Sequence, residues 1–231
     1  MLDAGETLPE LTLVDADEQT SGRGQRGNSW ESEKGRNVQF SLVCHPHFLL
    51  ASRQFALSEA IALAVAETVG GEVKWPNDIY VGDCKISGTL IECDLSGKQI
   101  ETCIIGTGIN VNIDADEFSP EIQDTATSLS ILAGHAIDRR ALLAAILREM
   151  ESLYAAVQRE GFAPVFDAWR ELSVTLGQEV RVLGVNETFE GTAADIDETG
   201  ALLVDTPEGR RRVLAGDVSI RPKGWTGKRT N

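Results

Sequence analysis

The sequence predicts an α+β domain followed by a small helix-free β domain, the latter of the size of an SH3-like barrel. Three observations predict it. An apolar, alanine-rich segment over Ala51–Val69 reads as a buried helix. Strand-like runs follow in quick succession from Glu72 to Ile105. Past Leu176 the chain holds four or five short strands in about 45 residues with no helical period. Of 231 residues, 42% are hydrophobic and 25% charged, enough apolar material for one good-sized core plus a small one. That balance excludes global disorder, collagen and coiled coil.

The elements follow in order. Leu11–Val14 is a short strand that leads into the polar turn Asp15-Ala16-Asp17-Glu18-Gln19. Ser21–Arg36, SGRGQRGNSWESEKGR, has no period and must be loop. Val38–Cys44 is a buried strand by its apolar run. The helix over Ala51–Val69 stops at Gly70-Gly71, glycine being the usual helix terminator. Glu72–Trp75, Ile79–Val81, Lys85–Asp94 and Gln99–Ile105 are strands, the last two joined at Ser96-Gly97. Asp138 caps a helix running through ALLAAILREMESLYAAVQ, and a second helix spans Ala163–Glu171. Then come the strands Glu179–Leu183, Glu187–Ile196, Ala201–Asp205 and Arg210–Ala215. The expected organisation is a catalytic-sized domain over residues 1–175, a β domain over 176–222 and a flexible tail over 223–231.

Charge and cysteine content narrow the function classes. With 21 Lys+Arg against 36 Asp+Glu the net charge is -15, which argues against broad nucleic-acid binding, since that depends on neutralising phosphates. No apolar run approaches the roughly 20 residues of a membrane span, and the opening residues are acidic rather than signal-like. A soluble, cytoplasmic protein is expected. Cys44, Cys84, Cys93 and Cys103 lack C-x-x-C spacing and read as free thiols. Cys44-His45-Pro46-His47 has no further ligands at zinc spacing.

Three constellations carry chemistry. Gly22-Arg23-Gly24-Gln25-Arg26-Gly27 matches G-x-G-x-x-G, but no helix begins inside it, so a dinucleotide fold is rejected. Read as a P-loop, it has Asn28 where the phosphate lysine must stand. What it does have is Arg23, Arg26, Lys34 and Arg36 against an acidic background, which suits a phosphate-bearing ligand or, more blandly, a solvated basic loop. Trp30 offers a flat face for a base. In Lys74-Trp75-Pro76-Asn77-Asp78, Pro76 stiffens the turn and puts Asn77 and Asp78 at a strand end. Lys74, Asp78 and Lys85 then form either a site or a surface ion-pair cluster. In Gly106-Thr107-Gly108-Ile109-Asn110-Val111-Asn112, two glycines within a strand mark either close approach of a ligand or a bulge.

Together GRGQRGNSW, KWPNDIY, the K-x-x-G-x-L-x-E of Lys85–Glu92 and GTGINVN resemble the biotin protein ligases, in that family's order and spacing. The resemblance runs from about Leu11 to Pro222 and includes the small C-terminal domain. It implies a class II synthetase-like catalytic domain, a mixed β-sheet with helices, followed by the SH3-like barrel. It also implies a two-step reaction: biotin and ATP give biotinyl-5'-AMP, and a lysine of a biotin carboxyl carrier domain then takes the biotinyl group. ATP and biotin would be the substrates, with Mg²⁺ on the phosphates. DNA and membrane partners are not expected, and a homodimer is left open.

By this resemblance Lys85, Arg23 and Asp78 are the catalytic residues. Gln19, Arg23, Gly24, Gln25, Lys85, Gly88 and Gly108 would hold biotin. Arg23, Arg26, Trp30, Asn77, Lys85 and Asn110 would hold ATP or the adenylate. Asp78 would meet Mg²⁺ through the phosphates. The glycine loop is expected to order on ligand binding.

The chain departs from the family pattern in three ways. Gln25 stands where many relatives have arginine. No N-terminal helix-turn-helix precedes the catalytic motifs, so a repressor role is not expected. The Ser-Thr-Asn segment that contacts the ureido group in the family is absent before the first strand, and the Gly5-Glu6-Thr7 neighbourhood does not replace it. The expectation is a start codon placed too late or an incomplete pocket. Hence there are two rivals to an active ligase: a weak, non-catalytic binder of biotin or its adenylate, and a lipoate or octanoate transferase on the same fold.

Overall fold

The computed structural model describes residues 8–184, 187–215 and 218–222. The expectations placed on Gly5-Glu6-Thr7 and on the tail Lys223–Asn231 lie outside them. In chain order the elements are β1 (Thr12–Asp15), β2 (Val38–Cys44), α1 (Gln54–Val69), β3 (Glu72–Lys74), β4 (Asp78–Val81), β5 (Cys84–Ser96) and β6 (Gln99–Ile109). Then come α2 (Leu129–Ala133), α3 (Arg139–Glu160), α4 (Ala163–Leu172), β7 (Glu179–Gly184), β8 (Thr188–Ile196), β9 (Leu202–Thr206), β10 (Gly209–Val213) and β11 (Val218–Pro222).

The first six strands form one sheet in the order β1-β2-β6-β5-β4-β3. Their pairings are antiparallel, and parallel geometry enters through the isolated bridges Val73–Ser173 and Lys85–Ala126. The helix α1 covers one face. Every residue from Ala56 to Ala66 is buried, because α1 is enclosed by the sheet on one side and by α3 and α4 on the other. Such a helix needs no polar stripe, which explains its nearly uniform alanine, leucine and isoleucine content. It ends on Gly70 at φ +67, the left-handed cap that glycine adopts without strain. Asp138 caps α3 as expected, its carboxylate accepting from the amides of Arg140 at 2.9 Å and Ala141 at 3.1 Å.

Some elements differ from expectation. The strands β5 and β6 run longer than the expected Lys85–Asp94 and Gln99–Ile105, and Gly106 and Gly108 lie within β6. The strand β3 ends at Lys74, one residue before Trp75, whose peptide bond to Pro76 is cis. The five-residue α2 is too short to show a period, although Ser128 caps it. β11 is the fifth strand of the four or five expected past Leu176, beyond the four named from the sequence.

The second sheet, β10-β9-β8-β7-β11, is antiparallel and consistent with the SH3-like fold. Val180, Val182, Ala193, Ile196, Leu202, Val204, Val213 and Ile220 are buried in it. It is tied to the first domain by Arg170 of α4, which donates to Asp195 at 2.7 Å and to the Ile196 carbonyl at 3.2 Å. Among the described residues no helix is long and apolar enough to cross a membrane.

Candidate active site

Side chains of a β-strand alternate between the two faces of its sheet, so the register says which residues share the face that α1 leaves uncovered. Gln39 on β2 pairs with Gly108 on β6, Gly108 with Gly88 on β5, and Gly88 with Asp78 on β4. These four residues form one row across the sheet, with two adjacent glycines at its centre. The next row is Ser41, Gly106 and Leu90, and the one beyond is Val43, Ile104 and Glu92. A trough without Cβ atoms therefore crosses the sheet, bounded by Gln39 at one end and Asp78 at the other. Its pairing is regular at Gly106 and Gly108; the shift in this hairpin falls at Asp94/Leu95, so the bulge reading of the GTG segment does not apply.

Above the trough lies a cavity of about 1510 Å³, roofed by Gln19 and the glycine loop. It extends past Lys74–Asp78 to Val174, Thr175, Gln178, Val180 and Ile220, so the C-terminal sheet contributes a wall. Pockets for one small ligand run to about 1,000 Å³, so this one has room for two substrates side by side.

The central pair is Lys85 and Asp78. Lys85 Nζ lies 2.6 Å from Asp78 Oδ1, with both side chains about two-thirds covered. A Cβ on Gly88 would stand 3.1 Å from Lys85 Nζ and 3.2 Å from Asp78 Oδ1. Gly88 thus leaves space for the ion pair. Trp30 takes the neighbouring space. A Cβ on Gly108 would come 2.5 Å from Trp30 Cζ2 and 2.8 Å from Nε1, and Lys85 Nζ lies 6.0 Å from the indole centroid. The close approach at Gly108 is made here by Trp30 itself.

The glycine loop has local structure. Gly24 N donates to the Asn28 carbonyl at 2.7 Å, Trp30 N to Gly22 O at 3.0 Å, and Gln25–Gly27 form one 3-10 turn. Arg23 and Arg36 do not converge. Arg23 pairs with Glu92 at 2.9 Å and is largely exposed, whereas Arg36 is held by Asp114 at 2.5 Å and Glu117 at 2.7 Å. The backbone of Arg26 lies in the 3-10 turn, and its side chain is outside the described atoms.

Gln19, Arg23, Gly24, Gln25, Trp30, Asn77, Asp78, Lys85, Gly88, Gly108 and Asn110 all line the cavity. Two of them also make hydrogen bonds within the fold, Asn77 through its side chain and Asn110 through its backbone. Asn77 is buried and its Nδ2 donates to the Thr89 carbonyl, while the Asn110 backbone donates to Ile86 O at 2.8 Å and accepts from Leu129 N at 3.0 Å. Two residues were not among the expected site residues: Glu92, which lines the cavity, and Gln39, which lies outside its lining but pairs in register with Gly108. The signal for Gln39 was present: with Ser41 it breaks the apolar run Val38–Cys44 at alternate positions, the mark of a strand whose second face is not core.

Comparisons with known proteins agree with this architecture. The pattern of the Biotin/lipoate A/B protein ligase family matches residues 4–110, and that of the Biotin protein ligase C terminal domain matches 175–221. The Bifunctional ligase/repressor BirA of Bacillus subtilis (strain 168) is 37% identical over 222 residues, covering 94% of this chain and 68% of the relative. The Biotin--[acetyl-CoA-carboxylase] ligase of Paracoccus denitrificans is 31% identical, covering 88% of each. The structure of the biotin protein ligase from Aquifex aeolicus in complex with biotin and ATP superposes with a TM-score of 0.83 at 30% identity, covering 94% of this chain and 92% of that one. With the glycine loop, the lysine–aspartate pair and the C-terminal sheet all in place, the chain belongs to the biotin protein ligase family.

Proposed function

We propose that this chain activates biotin with ATP and transfers it to a lysine of a biotin carboxyl carrier domain of a biotin-dependent carboxylase. The observation that carries the reading is the Lys85–Asp78 pair, set in the glycine trough beneath the Gly22–Trp30 loop.

In the first step a biotin carboxylate oxygen attacks the α-phosphorus of ATP, and the bond to the β-phosphate oxygen breaks to release pyrophosphate. Two anions must approach each other, so a positioned cation supplies most of what the protein can add. Lys85 is assigned that role. Its ammonium is held by Asp78, and a bound carboxylate or α-phosphate oxygen would share its remaining donors. Arg23 is exposed on Glu92 and free to turn from that carboxylate to a phosphate. Trp30 would pack on the bound adenylate, and Gln19, Gly24 and Gln25 would line its roof.

In the second step the carrier amine attacks the acyl carbon, AMP leaves, and the amine loses a proton. Asp78 is the nearest carboxylate to Lys85 and is assigned to accept that proton. Among the described residues no three His, Cys, Asp or Glu side chains form a metal cage. Mg²⁺ commonly keeps its waters and binds through one or two carboxylates plus substrate phosphates, which fits Asp78 beside ATP; bound there, the ion neutralises phosphate charge. We place the reaction in the cytoplasm, in keeping with four free cysteines.

The test uses the chain with biotin, ATP labelled at the α-phosphate, Mg²⁺ and a carrier domain, with biotinyl-AMP and labelled carrier scored separately. Both products are expected. Neither product would overturn the ligase reading in favour of a binding protein, and preference for lipoate over biotin would overturn it in favour of a lipoate transferase.

A further inference from the structure

Gln39 is 2% exposed, and neither its Nε2 nor its Oε1 has a hydrogen-bond partner among the described residues. Its register partner is Gly108, so the two project from the same face of the sheet. That face is the floor of the cavity, whose lining includes Gly108, Gly88 and Trp30 but not Gln39, and the direction of the missing Gly108 Cβ is filled by the Trp30 indole. Trp30 Nε1 is also buried and also without a partner among the described residues. Three buried polar atoms with no partner among the described residues therefore belong to side chains on either side of Gly108, at one end of the glycine trough.

A buried amide with both halves unmet is costly, whereas leucine would fill the same strand position at no such cost. Nothing in the fold uses the amide. What it offers is a donor beside an acceptor, and the group that satisfies both at once presents an acceptor beside a donor. Glutamine pairs in this way with the amino edge of adenine, and the N–H and C=O of a cyclic urea offer the same edge. Lys85 Nζ lies over Gly88, two strand spacings from Gln39, or roughly 10 Å. A substrate whose reacting carboxylate or phosphate sits at Lys85 can lie along the trough and present its other end to Gln39. Trp30 lies between them, and its indole N–H makes no hydrogen bond among the described residues that would hold it there.

We propose that the Gln39 amide is a substrate-recognition group, binding a donor–acceptor edge of the substrate after that substrate displaces the Trp30 indole from the trough. The inference rests on the ligase reading, under which two sources of that edge exist, the ureido group of biotin and the amino edge of adenine.

The test is Gln39→Leu, which keeps the side-chain volume and removes both polar atoms, with Gln39→Glu as a second variant that keeps the acceptor. Equilibrium binding of biotin and of ATP to the full chain is measured by calorimetry, alongside KM and kcat for adenylate formation and the thermal midpoint. Gln39→Leu is expected to weaken one substrate about tenfold in both Kd and KM, as the loss of a neutral hydrogen-bonded pair does. Its kcat should change little and its midpoint should stay level or rise; Gln39→Glu should weaken the same substrate. A change confined to biotin identifies the ureido group, and one confined to ATP identifies adenine. If Gln39→Leu binds both substrates as the wild type does, or merely lowers the midpoint, the proposal is overturned while the ligase reading stands. A wild-type chain that binds neither substrate overturns both.

Discussion

The indole Nε1 of Trp75 donates a 3.0 Å hydrogen bond to the carbonyl oxygen of Gly200. Trp75 belongs to the turn that leads into Asp78, and Gly200 lies in the turn between β8 and β9, so this contact joins the C-terminal sheet to the segment carrying the central ion pair. Around it the fit is close. Trp75 is 2% exposed, and its backbone N–H donates to Thr175 Oγ1 at 2.9 Å. Glu59 of α1 closes the other side, and a Cβ on Gly200 would lie 2.9 Å from its Cδ. The turn is built on Asp197, which accepts from Thr199 N at 2.8 Å and Ala201 N at 3.1 Å and takes a further bond from Arg212.

Gly200 adopts φ +83 and faces Glu59, so Gly200→Ala meets both backbone strain and a collision. Gly177 has a similar φ of +78 with nothing within 4 Å, so Gly177→Ala meets the strain alone. Urea unfolding should show a loss of about 1 kcal/mol for Gly177→Ala and about 2–3 kcal/mol for Gly200→Ala. Equal losses would mean that the contact with Glu59 is slack.

Glu59 is almost wholly buried, and neither carboxyl oxygen makes a hydrogen bond among the described residues. Burial pushes its carboxyl well above the usual carboxylate range, and the charge of Asp197 pushes it further; the Trp75 N–H opposes this only in part, being committed to Gly200. Because the folded pKa is raised, the contribution is intact below the ordinary value of 4.5 and is lost as pH rises from there through the folded pKa. The wild type should thus lose on the order of 1 kcal/mol per pH unit across that window relative to Glu59→Gln, which cannot ionise. Thermal midpoints of the two proteins from pH 4 upward would reveal it. Parallel curves would show that Glu59 ionises without penalty.

Replacement of the central cation should separate chemistry from folding. Lys85→Met removes the charge at a half-buried surface and should leave the thermal midpoint within a few degrees while lowering biotinyl-AMP formation by about 10²–10³-fold. Gly88→Ala forces its methyl group against Lys85 Nζ and Asp78 Oδ1, so an intermediate loss is expected. Adenylate formation in Lys85→Met at the wild-type rate would remove Lys85 from the mechanism.

Gly108 and Gly106 give a further comparison on one strand. A methyl at Gly108 would overlap the Trp30 indole, whereas at Gly106 the nearest atoms are 3.9 Å away. Gly108→Ala should therefore displace the loop and speed tryptic cleavage after Arg23 and Arg26, with Gly106→Ala cut at the wild-type rate. Equal cleavage in both would show that the loop does not depend on that contact.

Arg23 and Glu92 are 72% and 48% exposed, so their 2.9 Å pair should contribute well under 1 kcal/mol to stability. Glu92→Gln should accordingly leave the unfolding curve unmoved while freeing Arg23 for phosphate. A lower KM for ATP is the expected kinetic result, and an unchanged KM would mean that the pairing does not compete with the nucleotide.

Much of this was legible in the chain because its signals are local. The all-apolar stretch of α1 and its glycine stop, the Asp138 cap and the short strands past Leu176 each depend on residues a few positions apart. The ordered motifs around Arg23, Asp78, Lys85 and Gly108 likewise identified the family and the residues that line the cavity. What pairs with what was not legible. Nothing near Arg36 predicts that Asp114 and Glu117 hold it, nor that Arg23 lies on Glu92 rather than beside Lys85. Gly88 and Gly108 looked alike as glycines, yet one makes room for an ion pair and the other for an indole.

By itself, the sequence determined the order of the elements, the acidic balance with its basic loop, and the residue types available for acyl activation. The tertiary structure decided that Gln39, Gly108, Gly88 and Asp78 share a row, and that Glu59 and Trp75 close against Gly200. The reason is physical. Helix periods and caps act over one or two turns of chain, whereas register pairs Gln39 with Gly108, 69 positions away, and packing brings the Trp75 indole to Gly200 across 125.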